Sequence, residues 1–242
     1  MPVMDKLAAG AAGLRLKLSD EQLGRYEAFY RELIDWNRKF NLTAITDYDG
    51  VQIKHFLDSL SVVLALPEVP PPQGYRVIDI GTGAGLPGIP LKITFPEIKL
   101  ALLEATRKKA TFLEHIKTVL GLNDVEVVAM RAEEAAHLES LREQFDLALV
   151  RAVAALPALV EMTLPFLRVG GRLIAQKKGD IKDEVASAKT AIKLLGGNLI
   201  EVKRIELPEL ADNRFLVVID KVAPSPAIYP RRPGLPAKQP LK

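Results

Sequence analysis

The stretch RVIDIGTGAGLPGIP at 76–90 limits the possible folds more than any other part of the chain. An apolar, β-branched run ends on Asp79, and Gly81, Gly83 and Gly85 follow at two-residue spacing before a second apolar run begins. Glycine lacks the Cβ that forbids positive φ and close backbone approach, so this spacing marks a buried strand handing over to a helix through a ligand-holding turn. The free N–H groups at such a helix start are a ready binding surface. The segment therefore predicts an α/β domain with a cofactor at the carboxyl end of its first strand.

Two cofactor classes compete for that turn. Gly83, Gly85 and Gly88 satisfy the GxGxxG pattern of dinucleotide sites. Asp79 argues the other way, because a carboxylate two residues before the first glycine would repel a pyrophosphate but suits an ammonium or sulfonium. S-adenosylmethionine carries both cations and no phosphate. Residues 98–104, IKLALLE, read as a second strand ending on Glu104, about twenty residues after the glycines, where an adenosine ribose presents its hydroxyls. Either cofactor predicts that acid.

Toward the N-terminus, Ser19 and Gln22 form a capping box, and Leu23, Tyr26, Phe29, Leu33, Trp36 and Phe40 recur at helical spacing, which makes them core rather than a nucleobase platform. Thr46 and Asp49 offer a second cap, followed by Ile53, Phe56, Leu57, Leu60 and Leu64 on a second helix. Pro67 and Pro70 to Pro72 close it, so residues 1–72 read as a helical N-terminal extension. Residues 73–222 then alternate strands at 76–80, 98–104, 125–130, 145–150 and 172–176 with helices. One helix spans 106–120 with Arg107, Lys108 and Lys109 in its first turn; another spans 155–167, ended by Gly170 and Gly171. Repeated βα units imply a parallel, doubly wound sheet with ligands at the strands' carboxyl ends. Residues 198–206 and 214–222 are strands joined only by a short loop at Pro208, so a hairpin with an antiparallel strand completes a mostly parallel seven-stranded sheet. That Rossmann-like arrangement is typical of class I methyltransferases, and it favours methyl over hydride transfer.

The chain has no cysteine, and His55, His115 and His137 are scattered, so no metal is expected. The 242 residues contain no uninterrupted apolar run of membrane-spanning length, which points to a cytoplasmic protein without a membrane partner. The sequence pI is near 9.0 although the formal net charge is only +3. Residues 223–242 hold no acid, and set Arg231, Arg232, Lys238 and Lys242 among six prolines, at 224, 226, 230, 233, 236 and 240. The prolines exclude a helix there and leave a solvated end or a basic arm lying on phosphates.

Several segments carry a resemblance: NLTAI at 41–45, KHFLDSL at 54–60, DIGTGAGLPGIPLKI at 79–93, EATRKKATFL at 104–113, RAVA at 151–154 and YPRRPGLPAKQPL at 229–241. Together, in this order, the chain resembles the bacterial 16S ribosomal RNA guanine-N7 methyltransferases, the glucose-inhibited division protein B family. The resemblance implies S-adenosylmethionine as methyl donor and 16S ribosomal RNA or the small ribosomal subunit as acceptor; a monomer is expected, though no residue pattern fixes the oligomeric state. It implies cofactor contacts from Gly81 and Leu86 in the glycine turn, from Ala132 and Glu133 after the third strand and from Arg151 after the fourth. Asp79, Thr82, Gly83, Gly85 and Glu104 complete that set. Many family members carry Phe where this chain has Leu86, so an aromatic contact becomes aliphatic.

Guanine N7 holds a lone pair and no proton at neutral pH, so its methylation needs neither a base nor an enzyme nucleophile. His55 and Asp58, three residues apart in KHFLDSL, look like an acid-base pair but are expected to hold structure or orient substrate, with Asp58 steadying the imidazole or the helix junction. His55 and Arg151 are the substrate-orienting candidates. Asn41, Lys54, Lys178, Arg231, Arg232 and Lys238 are the RNA-binding candidates, with Lys108, Lys109 and Lys177 near the same strand ends. The remaining alternatives are a non-catalytic RNA-binding or ribosome-assembly module on a cofactor fold, and an NAD-dependent oxidoreductase.

Overall fold

The computed structural model describes residues 3–151, 154–210 and 212–241. Its seven strands are β1 (Arg76–Ile80), β2 (Lys99–Leu103), β3 (Val125–Val128), β4 (Phe145–Arg151), β5 (Leu167–Lys178), β6 (Gly197–Arg204) and β7 (Arg214–Lys221). They form one sheet in the order β3-β2-β1-β4-β5-β7-β6. The β1 to β5 neighbours pair parallel, and β7 runs antiparallel to both β5 and β6. The mixed sheet expected from the terminal hairpin is present.

Side-chain alternation buries both faces of this sheet. Val77, Leu100, Leu102, Leu147, Leu149, Ile174, Leu216 and Val218 join Tyr26, Phe29, Leu33, Phe56, Leu57 and Leu60 of the N-terminal helices in one cluster. Their neighbours Ile78, Ala101, Leu103, Ala148, Val150, Leu173, Val217 and Ile219 pack on α8 (Leu156–Thr163) and α9 (Lys182–Leu194). Two covered faces explain why β1, β2 and β4 read as nearly continuous apolar runs. The helix α2 (Asp20–Phe40) has the anticipated capping box, Gln22 N–H on Ser19 Oγ at 3.2 Å and the Gln22 side chain on Ser19 N–H at 2.9 Å. Its aromatic residues are core: Phe29 stacks on Phe56 at 5.2 Å between ring centroids.

Four local expectations change. The second N-terminal helix, α3 (Tyr48–Val51), is capped by Asp47, whose Oδ1 accepts Gly50 N–H at 2.7 Å, and not by Thr46. It then widens into a π-helical stretch, Gln52–Leu57, before the turn α4 (Asp58–Leu60). Gly170 and Gly171 do not end a helix. Pro165 has already stopped α8, and the glycines lie inside β5, where Gly170 at φ 88° faces a register shift between Phe145 and Leu147 on β4. A Cβ on Gly171 would sit 2.9 Å from the Phe145 carbonyl oxygen, so the bulge requires glycine. The C-terminal segment is not helix-free, since Leu235–Lys238 forms the short helix α10 with Pro236 in its first turn, where a missing N–H costs nothing.

Candidate functional site

At the carboxyl end of β1 the glycine turn divides its labour. Gly81, Gly83 and Gly85 all adopt positive φ, at 66°, 61° and 86°. A Cβ on Gly83 would meet nothing within 4 Å, whereas one on Gly85 would strike Ile89 at 2.3 Å and one on Gly88 would crowd Asp79 Oδ2 and Leu102 at 2.9 Å. Gly83 thus borders open space, and the other two allow close packing of α5 (Gly88–Thr94) on the sheet. Leu86 is buried with Ile89 in the core cluster and lines neither of the two cavities described next.

Asp79 is wholly buried beneath this turn. Its Oδ2 accepts Thr82 Oγ1–H at 2.5 Å and Gly88 N–H at 2.8 Å, while Oδ1 finds no partner among the described residues. The N–H that would hold a phosphate at the start of α5 is therefore taken by the chain's own carboxylate, which removes the physical basis for the dinucleotide reading. Burial pushes Asp79 up to about 6. Glu104, at the end of β2, spans the turn: Oε2 accepts Gly83 N–H at 3.0 Å and Oε1 accepts Thr106 N–H at 2.7 Å. Glu133 opens α7 (Ala132–Ala135) and is 7% exposed.

Beside Glu133 lies a cavity of about 220 Å³ lined by Gly81, Leu103, Met130, Ala132, Glu133 and Met162 among others, with the buried Asp79 and Glu104 at the adjoining strand ends outside its lining. Arg131 is its one basic lining residue. Apolar walls with the Glu133 carboxylate among them, and the Asp79 and Glu104 carboxylates behind the adjoining turn, fit a group that is flat and apolar at one end and cationic at the other, as S-adenosylmethionine is.

A second cavity, about 340 Å³, is strongly basic and is lined by Lys54, His55, Asp58, Arg151, Gln176, Lys177, Lys178, Ile205 and Arg214. Asp58 is its organiser. Its Oδ2 accepts Arg151 Nη1–H at 3.0 Å and its Oδ1 accepts Arg214 Nη1–H at 2.6 Å, so one nearly buried carboxylate from the N-terminal helices aims two guanidiniums from β4 and β7. The expectation that Asp58 steadies the His55 imidazole is thereby corrected. His55 Nε2 lies 2.6 Å from Thr43 Oγ1 and Nδ1 lies 3.2 Å from the Lys54 carbonyl, which ties NLTAI to KHFLDSL. Burial, aided by the nearby Arg151 charge, lowers His55 to about 4 and keeps it neutral.

Arg151 lines this basic cavity and not the apolar one. Ala152 and Val153 of RAVA lie outside the described residues, as does Lys242. Asn41 takes the left-handed position after α2, at φ 49°, a role asparagine fills readily. Arg231 is not free for phosphate: its Nε and Nη2 donate to the buried Glu161 at 2.9 and 2.7 Å. Arg232 and Lys238 are exposed. Sequence reasoning missed Arg214 and Gln176. Arg214 faces Lys178 across the β5–β7 ladder, so pairing the predicted strands in register would have found it. A larger cavity, about 420 Å³, lies at the opposite end of the sheet near Arg76, Lys99 and Asp124, away from the strand ends where α/β folds bind ligands. Among the described residues no cluster of acids and histidines could hold a metal ion, and no helix is long and apolar enough to cross a membrane.

The fold has solved counterparts. A [4+2]-cyclase, SpnF, superposes with a TM-score of 0.54 at 15% identity, over 69% of this chain and 81% of that one. A 16S rRNA (adenine(1408)-N(1))-methyltransferase from Catenulisporales acidiphilia gives 0.53 at 13% identity, over 64% and 88%. At such identities the likeness is one of fold. The sequence relatives are much nearer. A ribosomal RNA small subunit methyltransferase G of Dehalococcoides mccartyi is 51% identical over 98% of this chain and 100% of its own length. Its namesake in Alkaliphilus metalliredigens is 45% identical over 98% of each chain. The family described as rRNA small subunit methyltransferase G matches residues 22–211. With that match and relatives aligned along nearly their whole length, the chain belongs to the rRNA small subunit methyltransferase G family.

Proposed function

We propose that the protein transfers a methyl group from S-adenosylmethionine to N7 of a guanine in the 16S ribosomal RNA of the small subunit, as a monomer in the cytoplasm. One observation carries this reading beyond family membership: a mostly apolar cavity at the glycine turn and a strongly basic one lie at the same end of the sheet. Arg151 at the end of β4 lines the basic one, and Ala154, three residues on, lines the apolar one. A neutral methyl acceptor on a polyanion and a cationic donor would meet there.

When bound, S-adenosylmethionine supplies an electrophilic methyl on a sulfonium. The chain's own residues have only to position and to exclude water, because guanine N7 needs no deprotonation. Asp79, Glu104 and Glu133 supply negative charge and hydrogen-bond acceptors on the donor side. Arg151 and Arg214, fixed by Asp58, supply donors for a base carbonyl or phosphate, and Lys54 and Lys178 add phosphate contacts that hold register without reading sequence.

His55 is a positioning residue in this scheme. Because both ring nitrogens are engaged and the ring is neutral, His55→Asn is expected to keep substantial turnover. A loss in kcat beyond about four orders of magnitude, more than a typical general-base effect, would count against it. The function itself is tested by labelled methyl transfer to small subunits from a strain lacking the enzyme, followed by mapping of the modified nucleotide. Binding without turnover would indicate an assembly module, and label on a base other than guanine would refute the acceptor assignment.

A further inference from the structure

The C-terminal segment is built into the body by contacts that its composition hides. Arg142 donates to the carbonyls of Ser225 and Tyr229 at 3.0 and 2.8 Å, and Glu143 Oε1 accepts Ser225 N–H at 2.8 Å. His137 Nε2 donates to the Pro230 carbonyl at 2.8 Å. Arg231 then forms a latch. Its backbone N–H and Nε both donate to Glu161 Oε1, at 2.8 and 2.9 Å, and its Nη2 donates to Glu161 Oε2 at 2.7 Å and to the Gln239 carbonyl at 2.7 Å. Glu161 lies on α8 and is fully buried, so this carboxylate has given up water for the strap.

Beyond the latch the chain turns through Gly234, at φ 79°, into α10, and there it reaches the apolar cavity that Glu133 lines. Gly234 and Ala237 are among its lining residues. Gly234 N–H donates to Glu133 Oε1 at 2.9 Å, which fixes the carboxylate that opens α7 and leaves its other oxygen for a ligand. Pro236, between Gly234 and Ala237 in the chain, is the buried residue of α10.

We propose that this strap is the outer wall of the cofactor site, that Gly234 and Ala237 belong to the S-adenosylmethionine-binding set, and that the Arg231–Glu161 latch holds them there. The inference rests on the reading of that cavity as the donor site. It replaces the basic-arm reading for Arg231 and leaves Arg232 and Lys238 as the basic residues of the strap exposed to solvent. Wall and ligand must then stabilise each other equally, because coupling between two binding events is reciprocal.

Three variants of the full chain test it by calorimetric titration with S-adenosylmethionine. The double variant Arg231→Met/Glu161→Gln opens the latch without stranding a buried charge, and Ala237→Trp intrudes on the cavity with the latch intact. Each is expected to weaken cofactor binding about tenfold, a typical coupling magnitude, with RNA affinity and its salt slope unchanged. Arg232→Glu is expected to do the reverse, lowering the salt slope of RNA binding at unchanged cofactor affinity. Reciprocity adds a readout that does not depend on a variant folding: cofactor should slow tryptic cleavage after the exposed Lys238 of the wild-type protein by a similar factor. Cofactor affinities within twofold of wild type for both wall variants, or cleavage indifferent to cofactor, would overturn the inference. A wild-type protein that binds no S-adenosylmethionine would instead overturn the functional reading.

Discussion

Replacing Asp58 by asparagine should all but abolish methyl transfer while leaving RNA binding intact or tighter. The side chain is about isosteric, so the loss is one of charge. Asp58 now sits between Arg151 and Arg214, whose side chains are 17% and 13% exposed. Without it, two guanidiniums share a cavity that also holds Lys54, Lys177 and Lys178. Removing one partner of a buried ion pair typically costs about 3–5 kcal/mol, and partial solvent access places this case near the lower limit. In a chain of this size that corresponds to a fall in Tm of roughly 6–12 °C. Turnover should suffer more than stability, because a misplacement of about 1 Å in a reaction driven by orientation costs on the order of a hundredfold. RNA affinity moves the other way, since the cavity gains a positive charge. The double variant Asp58→Asn/Arg214→Gln should regain melting temperature without regaining turnover. Wild-type kcat in Asp58→Asn at a wild-type Tm would refute the organising role assigned to this carboxylate.

That role was hidden in the sequence for a physical reason. On a regular helix, positions three apart share a face, and KHFLDSL therefore suggested a His55–Asp58 pair. The π-helical stretch Gln52–Leu57 shifts that register, so the imidazole turns back to Thr43 while the carboxylate turns to the sheet. The strand pattern, by contrast, was legible because each strand's alternation is enforced by burial on two faces, and the antiparallel hairpin because no helix fits between residues 206 and 214. The strap failed to show itself for another reason. A Pro-rich, acid-free terminus has no periodicity, and its acidic partner, Glu161, lies 70 residues earlier inside an apolar helix that reads only as sheet cover. Leu86 shows what a motif carried over residue by residue leaves to its backbone: the glycine turn forms around it, while its side chain packs in the core.

Cofactor affinity should depend on pH through Asp79. Burial holds its carboxyl at about 6, against the bonds from Thr82 and Gly88 that favour the ion. A raised acid binds its proton more tightly in the folded than in the unfolded state. Its favourable contribution to folding is complete below the unfolded value, near 3.8, and is lost as pH rises through about 6. At neutral pH the ionised, half-satisfied Asp79 therefore opposes folding by about 3 kcal/mol, two pKa units at 1.36 kcal/mol each. A cationic ligand in the neighbouring cavity would offset that cost through space by favouring the same ion, whose Oδ1 has no other partner. S-adenosylmethionine binding should then strengthen about tenfold per unit as pH rises from 5 toward 6, level off, and weaken again once the ligand's α-amino group loses its proton near 8, at about the model α-amino value. Calorimetry in buffers of different ionisation enthalpy should register proton release on binding at pH 5.5. In Asp79→Asn the rise below pH 6 should vanish, affinity should fall by roughly two orders of magnitude, and the Tm of the free protein should lose its decline between about pH 4 and 6. A wild-type affinity that is flat between pH 5 and 7 would mean that the orphaned oxygen faces no cation, and the donor would then have to be held by Glu104 and Glu133 alone.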